Sequence, residues 1–387
     1  MKEHFLLDPQ VIFLNHGSFG ATPKPVFEQY QTWQLELERQ PVEFIGRRSK
    51  ELLHQARIAL AQYFHTEADN LVYMTNVTVA VNAVARSLKL TSGDEVLTTN
   101  QEYGALDRTW RFLEQKEGFK YINVPLQLPV TTPEQYVKEF WAGVTTRTRV
   151  IFISHISSPT SVIAPVKEIC RLARAQGILT VIDGAHVPGH IPLNLEDIGA
   201  DFYGGNLHKW LCAPKGAGFL YASPPVHHLL EPLTVSYGWE SDAPSSSRLV
   251  DLYEYIGTRD LSAFLSVPAA IDFQAQQHWD THRARAHALA TECMLEITRL
   301  TGQVPLYPAG SDWYAQMVTV PLPSNTNLNA LKENLYNQYH IEVPMILWNN
   351  RPMVRVSFQA YNSHQDLEAL LAALRSLLYP EQVIIEE

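Results

Sequence analysis

Asp183, in VIDGAH, and Lys209, in GGNLHKW, each follow an apolar, strand-like run. A carboxylate and an amine delivered to one edge of a sheet can grip the two ends of an aromatic nitrogen heterocycle. The amine forms a Schiff base with an aldehyde. The carboxylate pairs with a protonated ring nitrogen, so that the ring accepts the electrons of a carbanion. Pyridoxal 5'-phosphate is the cofactor that needs this pair, and Lys209 and Asp183 are the catalytic candidates. An arbitrary lysine sits on the surface and Asp-Gly is a common turn, so the pair carries the expectation where neither residue alone would. Gly204, Gly205 and Gly216 around Lys209 allow close backbone approach, and partial burial would help the lysine shed the proton it must lose to attack.

Elements that would present these groups are legible as strand–helix alternation from residue 71 onward. Strands are expected at Leu71–Met74, Glu95–Thr98, Tyr121–Val124, Val150–Ser154, Ile178–Asp183, Asp201–Gly205 and Ala217–Tyr221. Helices are expected at Val77–Leu88, Tyr103–Glu117 and Val166–Gln176. Crossover helices imply parallel pairing, and the unbroken apolar runs VIFIS and ILTVID imply burial on both faces. In such α/β sheets ligands sit beyond the carboxyl ends of the strands, where Asp183 lies. Before this region, residues 26–62 read as helical with a break near Pro41. After it, residues 236–260 read as a loop rich in Ser, Asp and Pro, and one long helix is expected over 261–300. The remainder alternates strands (Trp313–Val320, Met353–Phe358) with helices (Leu328–Tyr339, His364–Leu378), as in a smaller α+β unit. The expected division is an N-terminal segment over 1–20 packing near the active site, a large α/β unit over 21–265, and a small α+β unit over 266–387. Thr75-Asn76-Val77-Thr78 opens a helix whose free N–H groups, with the Thr78 hydroxyl, form a natural phosphate cradle, although simple N-capping gives the same pattern.

Composition excludes several classes. Hydrophobic content of 46% and charged content of 18% suit a globular domain pair with substantial cores. A net charge of −10 without a Lys/Arg cluster argues against nucleic acid as partner. No apolar run reaches a membrane span and the N-terminus lacks a signal-peptide core. Cys170, Cys212 and Cys293 form no paired framework, which fits a reducing compartment, so a cytoplasmic location is expected. His278 and His282 stand four apart but lack a third ligand, so no metal site is expected. Neither a nucleophile elbow nor a strand-linked GxGxxG is present, which leaves an esterase or a nicotinamide dehydrogenase unsupported.

The ordered set VIDGAH, GGNLHKW with APKGAGFLY, TNVT, QEYGALDRTW, HISSPTS and EYIGTRD resembles the class V aminotransferase family of fold-type I pyridoxal phosphate enzymes. LNHGSFGATP, Tyr103 and GTRD make the chain most similar to that family's isopenicillin N epimerase group. The resemblance implies a mostly parallel central sheet with helices on both faces. It also implies that Lys209 holds the cofactor, Asp183 pairs with the ring nitrogen, and Tyr103 stacks on the ring. His186 and Ser157 would bond the phenolic oxygen. Val77, Thr78 and His208 would hold the phosphate, with Thr258 contributed by a neighbouring subunit of a homodimer with shared active sites. Arg355 in MVRVSFQAYN would bind the α-carboxylate of an amino-acid substrate, with Asn15 and His16 lining the same pocket. Cysteine desulfurases share the fold, but their persulfide-forming cysteine is missing from MILWNNRPM, residues 345–353. The expected enzyme acts at Cα of an amino acid, with epimerisation favoured and a carbon–sulfur lyase or aminotransferase as alternatives. His16 is one candidate for a second base. A non-catalytic pyridoxal phosphate sensor is the alternative outside enzymes.

Overall fold

The computed structural model describes residues 1–380, so the last seven residues of the expected 266–387 unit lie outside the described residues. Seven strands form the central sheet, in the order Leu71–Met74, Gly218–Ala222, Phe202–Asn206, Leu179–Gly184, Thr148–Ser154, Glu95–Thr99 and Lys120–Val124. The sheet is mostly parallel. Gly218–Ala222 is the exception and runs antiparallel to both neighbours. It can do so because the connection from Phe202–Asn206 is the short loop bearing Lys209, with no crossover helix.

Alternation along the central strands builds two apolar layers. Ile151, Ile153, Ile182, Tyr203 and Phe219 pack on one face, and Val150, Phe152, Val181, Phe202 and Leu220 on the other. Covering helices carry matching stripes. Val166–Ala175 buries Val166, Ile169, Cys170 and Ala173, the three- and four-residue spacing of one helix face. Full burial of each such aliphatic side chain is worth roughly 1.5–3 kcal/mol.

The long helix expected over 261–300 is three helices: Ser262–Leu265, Val267–Gln276 and Trp279–Thr301. Pro268 opens the second, and His278, with φ of 50°, turns the chain into the third. Within the expected loop 236–260, Arg248–Tyr253 is helical. Ser247 caps it by accepting the Val250 N–H, and Leu249, Val250, Leu252 and Tyr253 are buried. Near Pro41 the first helical stretch breaks, and Phe44–Arg48 is a π-helical turn.

A second, antiparallel sheet orders Met345–Trp348, Arg351–Ser357 and Met317–Pro321. The N-terminal segment ties it to the lysine loop. Ile12 and Phe13 pair in parallel with Ile341 and Glu342, and Asn15 bridges to Ser357. Gly20 then passes against the lysine loop at φ of +69°, where a Cβ would stand 2.0 Å from the His208 carbonyl oxygen, so no other residue fits.

Candidate active site

In-register pairing sets the site. Ser154 lies opposite Asp183, and Asp183 opposite Gly204, so three strands end together at their carboxyl edge. A cavity of about 570 Å³ opens there, lined among others by Thr78, Tyr103, Asp183, His186, His208 and Lys209.

Asp183 is 2% exposed and accepts the Ala185 N–H at 2.8 Å. Burial raises its pKa, against the pull of that bond and of Lys209. Desolvation lowers the pKa of Lys209, Arg355 adds to the effect, and Asp183 opposes it. The result is an amine poised to lose its proton and a carboxyl whose partner of choice is a cation. His186 lines the same cavity, with Nε2 3.4 Å from Lys209 Nζ.

At the start of the Val77–Ser87 helix the first-turn donors are divided. Asn206 Oδ1 accepts the Val77 N–H at 2.9 Å, and Asn76 Oδ1 accepts that of Val79 at 3.0 Å. Among the described residues this leaves the Thr78 N–H and hydroxyl without a protein partner. Thr78 therefore fits an anion, whereas Val77 lines the wall with its donor already given away. His208 donates Nδ1–H to the Ala217 carbonyl at 2.9 Å, and burial lowers its pKa to about 4. Its Nε2 is consequently an acceptor, and a phosphate bond to it requires that a proton be shared.

Several expected positions differ. Ser157 does not line the cavity: its hydroxyl donates to the Gln101 carbonyl at 2.9 Å and accepts from Thr160, holding a turn, while Ile156 and Ser158 on either side reach the wall. His16 is fully buried. Nε2–H donates to the Lys209 carbonyl at 3.0 Å, and Nδ1 therefore accepts from the Tyr361 hydroxyl at 2.9 Å. Burial takes its pKa down to about 3. It is a strut beneath the lysine loop and cannot serve as a base. Asn15 also stands behind the wall, donating to Glu342 and accepting from Ser18. Thr258 is exposed on a loop away from the cavity within the one chain.

Arg355, 4% exposed, lies behind two residues that do line the cavity. Its Nη1 donates to the Ser158 carbonyl at 2.8 Å and its Nη2 to the Ser18 hydroxyl at 3.0 Å. Nε is buried with no partner among the described residues. Ser18 and the exposed Phe19 escaped the sequence reading, although both lie within the motif HGSFG. So did Asn206 and Glu102. Glu102 accepts the Ser154 N–H and hydroxyl at 2.8 and 2.6 Å, and burial raises its pKa to about 7. It fixes the chain at Tyr103, whose ring is 44% exposed at the cavity mouth and whose hydroxyl has no partner among the described residues.

A sequence profile for the Aminotransferase class-V family matches residues 13–370. The chain belongs to the class V aminotransferase family. An isopenicillin N epimerase from Amycolatopsis lactamdurans is 36% identical, the match covering 97% of each chain. A probable chloroplastic L-cysteine desulfhydrase from Arabidopsis thaliana is 28% identical, covering 96% of this chain and 84% of that protein. Among solved structures, a cystine C–S lyase in complex with cysteine persulfide superposes with a TM-score of 0.84 at 20% identity, over 95% of this chain and 98% of the other. As a class V member the protein has the fold-type I architecture and is a pyridoxal phosphate-dependent enzyme. The cavity fits that cofactor: a deprotonation-prone lysine, a buried carboxyl and an uncommitted helix-start donor share one wall. No group of three or more His, Cys, Asp or Glu residues placed to hold a metal occurs among the described residues.

In this class V chain the segment 345–353 is a hairpin, not an open loop. Met345–Trp348 turns at Asn349 and Asn350, with φ of 47° and 58°, directly into Arg351–Ser357. The Trp348 indole N–H donates to the Asn100 carbonyl at 2.8 Å and pins it. Cys170, Cys212 and Cys293 are all buried free thiols, their pKa values raised by burial.

Proposed function

We propose that the protein is an epimerase or racemase acting at Cα of an amino acid, with Lys209 as cofactor-bearing lysine and base. The observation that carries this is the Lys209 amine, depressed toward its neutral form inside the cavity that also holds Asp183. The 36% identity to an isopenicillin N epimerase over 97% of both chains supports it. When bound, pyridoxal phosphate supplies an electron-accepting ring that acidifies the Cα–H bond.

The chain's own groups do the rest. Asp183 would pair with the ring nitrogen, Thr78 and His208 would hold the phosphate, and Tyr103 would cover the ring. Arg355 would receive the substrate carboxylate by exchanging its bonds to Ser18 and Ser158, the two lining residues in front of it, for the carboxylate oxygens. Lys209 takes the Cα proton. His16 being sealed off, the uncommitted Tyr103 hydroxyl on the cavity wall is the candidate to return a proton. Leu233, Val235, Tyr237, Trp239 and Tyr255 form an exposed apolar stretch beside the Thr258 loop, which supports a homodimer sharing its active sites. Free thiols, and the lack of any helix among the described residues long and apolar enough to cross a membrane, support a cytoplasmic enzyme.

A screen of the loaded enzyme against L- and D-amino acids tests the assignment. Inversion at Cα without release of ammonia, sulfide or keto acid is expected. Release of sulfide and ammonia favours instead a carbon–sulfur lyase, the reading supported by the desulfhydrase relative, and keto-acid formation indicates transamination. Arg355→Lys keeps the charge but loses the planar fork. We expect KM for the amino acid to rise roughly 10- to 100-fold, the loss of about 1.5–3 kcal/mol in hydrogen bonds to a charged group, with kcat less affected. Equal KM values in parent and variant would remove Arg355 from the substrate site.

A further inference from the structure

Trp210 follows the lysine and is fully enclosed. Its indole N–H donates to His186 Nδ1 at 3.4 Å. An indole nitrogen only donates, so Nδ1 carries no hydrogen. Burial, then the charges of Lys209 and Arg355, then His190 hold His186 well below the ordinary histidine range, so the ring is neutral. Its single hydrogen is therefore on Nε2, the nitrogen 3.4 Å from Lys209 Nζ.

The indole is itself held. His190 stacks on it with centroids 3.8 Å apart and planes 11° from parallel. His190 Nε2 accepts the Gln316 N–H at 2.9 Å, which leaves Nδ1–H to donate to the His186 carbonyl at 2.9 Å. Gln274 donates to the Trp210 carbonyl at 2.8 Å. Gly189, at φ of +80°, passes so close that a Cβ would stand 2.4 Å from that same oxygen.

We infer that Trp210 is a positioning residue that fixes the tautomer of His186, so that His186 offers the cofactor pocket a donor and never an acceptor. This rests on Lys209 being the cofactor lysine. The phenolic oxygen of pyridoxal phosphate adjoins the carbon to which a lysine attaches, and a fixed donor beside that carbon favours the anionic oxygen. Trp210 thereby lowers the pH at which the lysine–cofactor linkage gives up its proton. Lys209, Arg355 and His190 are the other titratable or charged groups acting on His186, and none of them contacts Nδ1.

The test is the pH midpoint of the visible absorption band in the cofactor-loaded protein. Trp210→Phe removes the indole donor and lets Nε2 become an acceptor. We expect the midpoint to rise by about one pH unit, tenfold in proton affinity. In a His186→Gln background, where the amide can donate without help from the indole, the same substitution is expected to leave the midpoint in place. An unmoved midpoint in Trp210→Phe, or an equal rise in the Gln background, overturns the inference, the latter by showing that Trp210 acts through packing alone. Should Trp210→Phe not fold, nitrogen-15 spectra of histidine-labelled parent protein read the tautomer directly, and a protonated Nδ1 on His186 overturns it. Absence of any visible band in the parent would instead remove the cofactor role of Lys209.

Discussion

Lys209→Ala protein mixed with pyridoxal phosphate is expected to show no visible band beyond that of free cofactor. Its turnover is expected to fall by on the order of 10²–10⁴-fold, the usual worth of a positioned proton-transfer group. No neighbouring amine can substitute. Lys215, the next lysine along the chain, lines a different cavity beside Thr22 and Tyr30, so Lys215→Ala is expected to keep the band. Turnover and colour surviving in Lys209→Ala would end the assignment of Lys209 as the cofactor lysine.

Acid is expected to unfold the cofactor-free protein steeply. His16, His155, His186 and His190 are each at most 6% exposed. Burial lowers their pKa values, to about 3 for His16 and His190, about 4 for His155, and well below the ordinary range for His186. In the unfolded chain they protonate near pH 6.5. Between that pH and about 4 the unfolded state binds up to four more protons than the folded state, so stability falls as pH falls. Asp183 and Glu102 oppose this, since burial raises them to about 6 and about 7 and the folded state keeps their protons longer. His208, lowered to about 4, adds a fifth histidine, and five histidines against two carboxyls leave a net loss of roughly 4 kcal/mol per pH unit near pH 5. Urea titrations at pH 7, 6 and 5 measure it, and His155→Gln is expected to flatten the slope by about one proton. Equal midpoints at all three pH values would contradict the buried neutral histidines.

The sheet, and the delivery of Asp183 and Lys209 to one cavity at its edge, were readable from sequence because local pattern decides them. Apolar runs ending in Asp183, or followed by a Gly-flanked lysine, already determine strand and edge. Leu328–Tyr339 and His364–Leu378 follow from periodicity alone, and the structure has both with those bounds. Pattern fails where a distant partner decides. His16 reads the same whether its ring meets substrate or, as here, a carbonyl 193 residues away. Ser157 and Ser158 are identical in type, and only the turn that directs one to Gln101 and the other to Arg355 separates them. Apolar residues on both sides of Pro268 and His278 mimic a continuous helix, because the pattern survives a bend that the backbone does not.

Contacts between the first twenty residues and the last strands also bear on how the enzyme is born. His16 meets Tyr361 across 345 positions of sequence, and Asn15 meets Glu342 across 327. Bringing such distant segments together slows folding, and during synthesis it must wait until Tyr361 has been added. The nascent lysine loop therefore emerges with its His16 strut not yet tethered by Tyr361, and the wall that bears Lys209 gains its full rigidity only after that residue has been added.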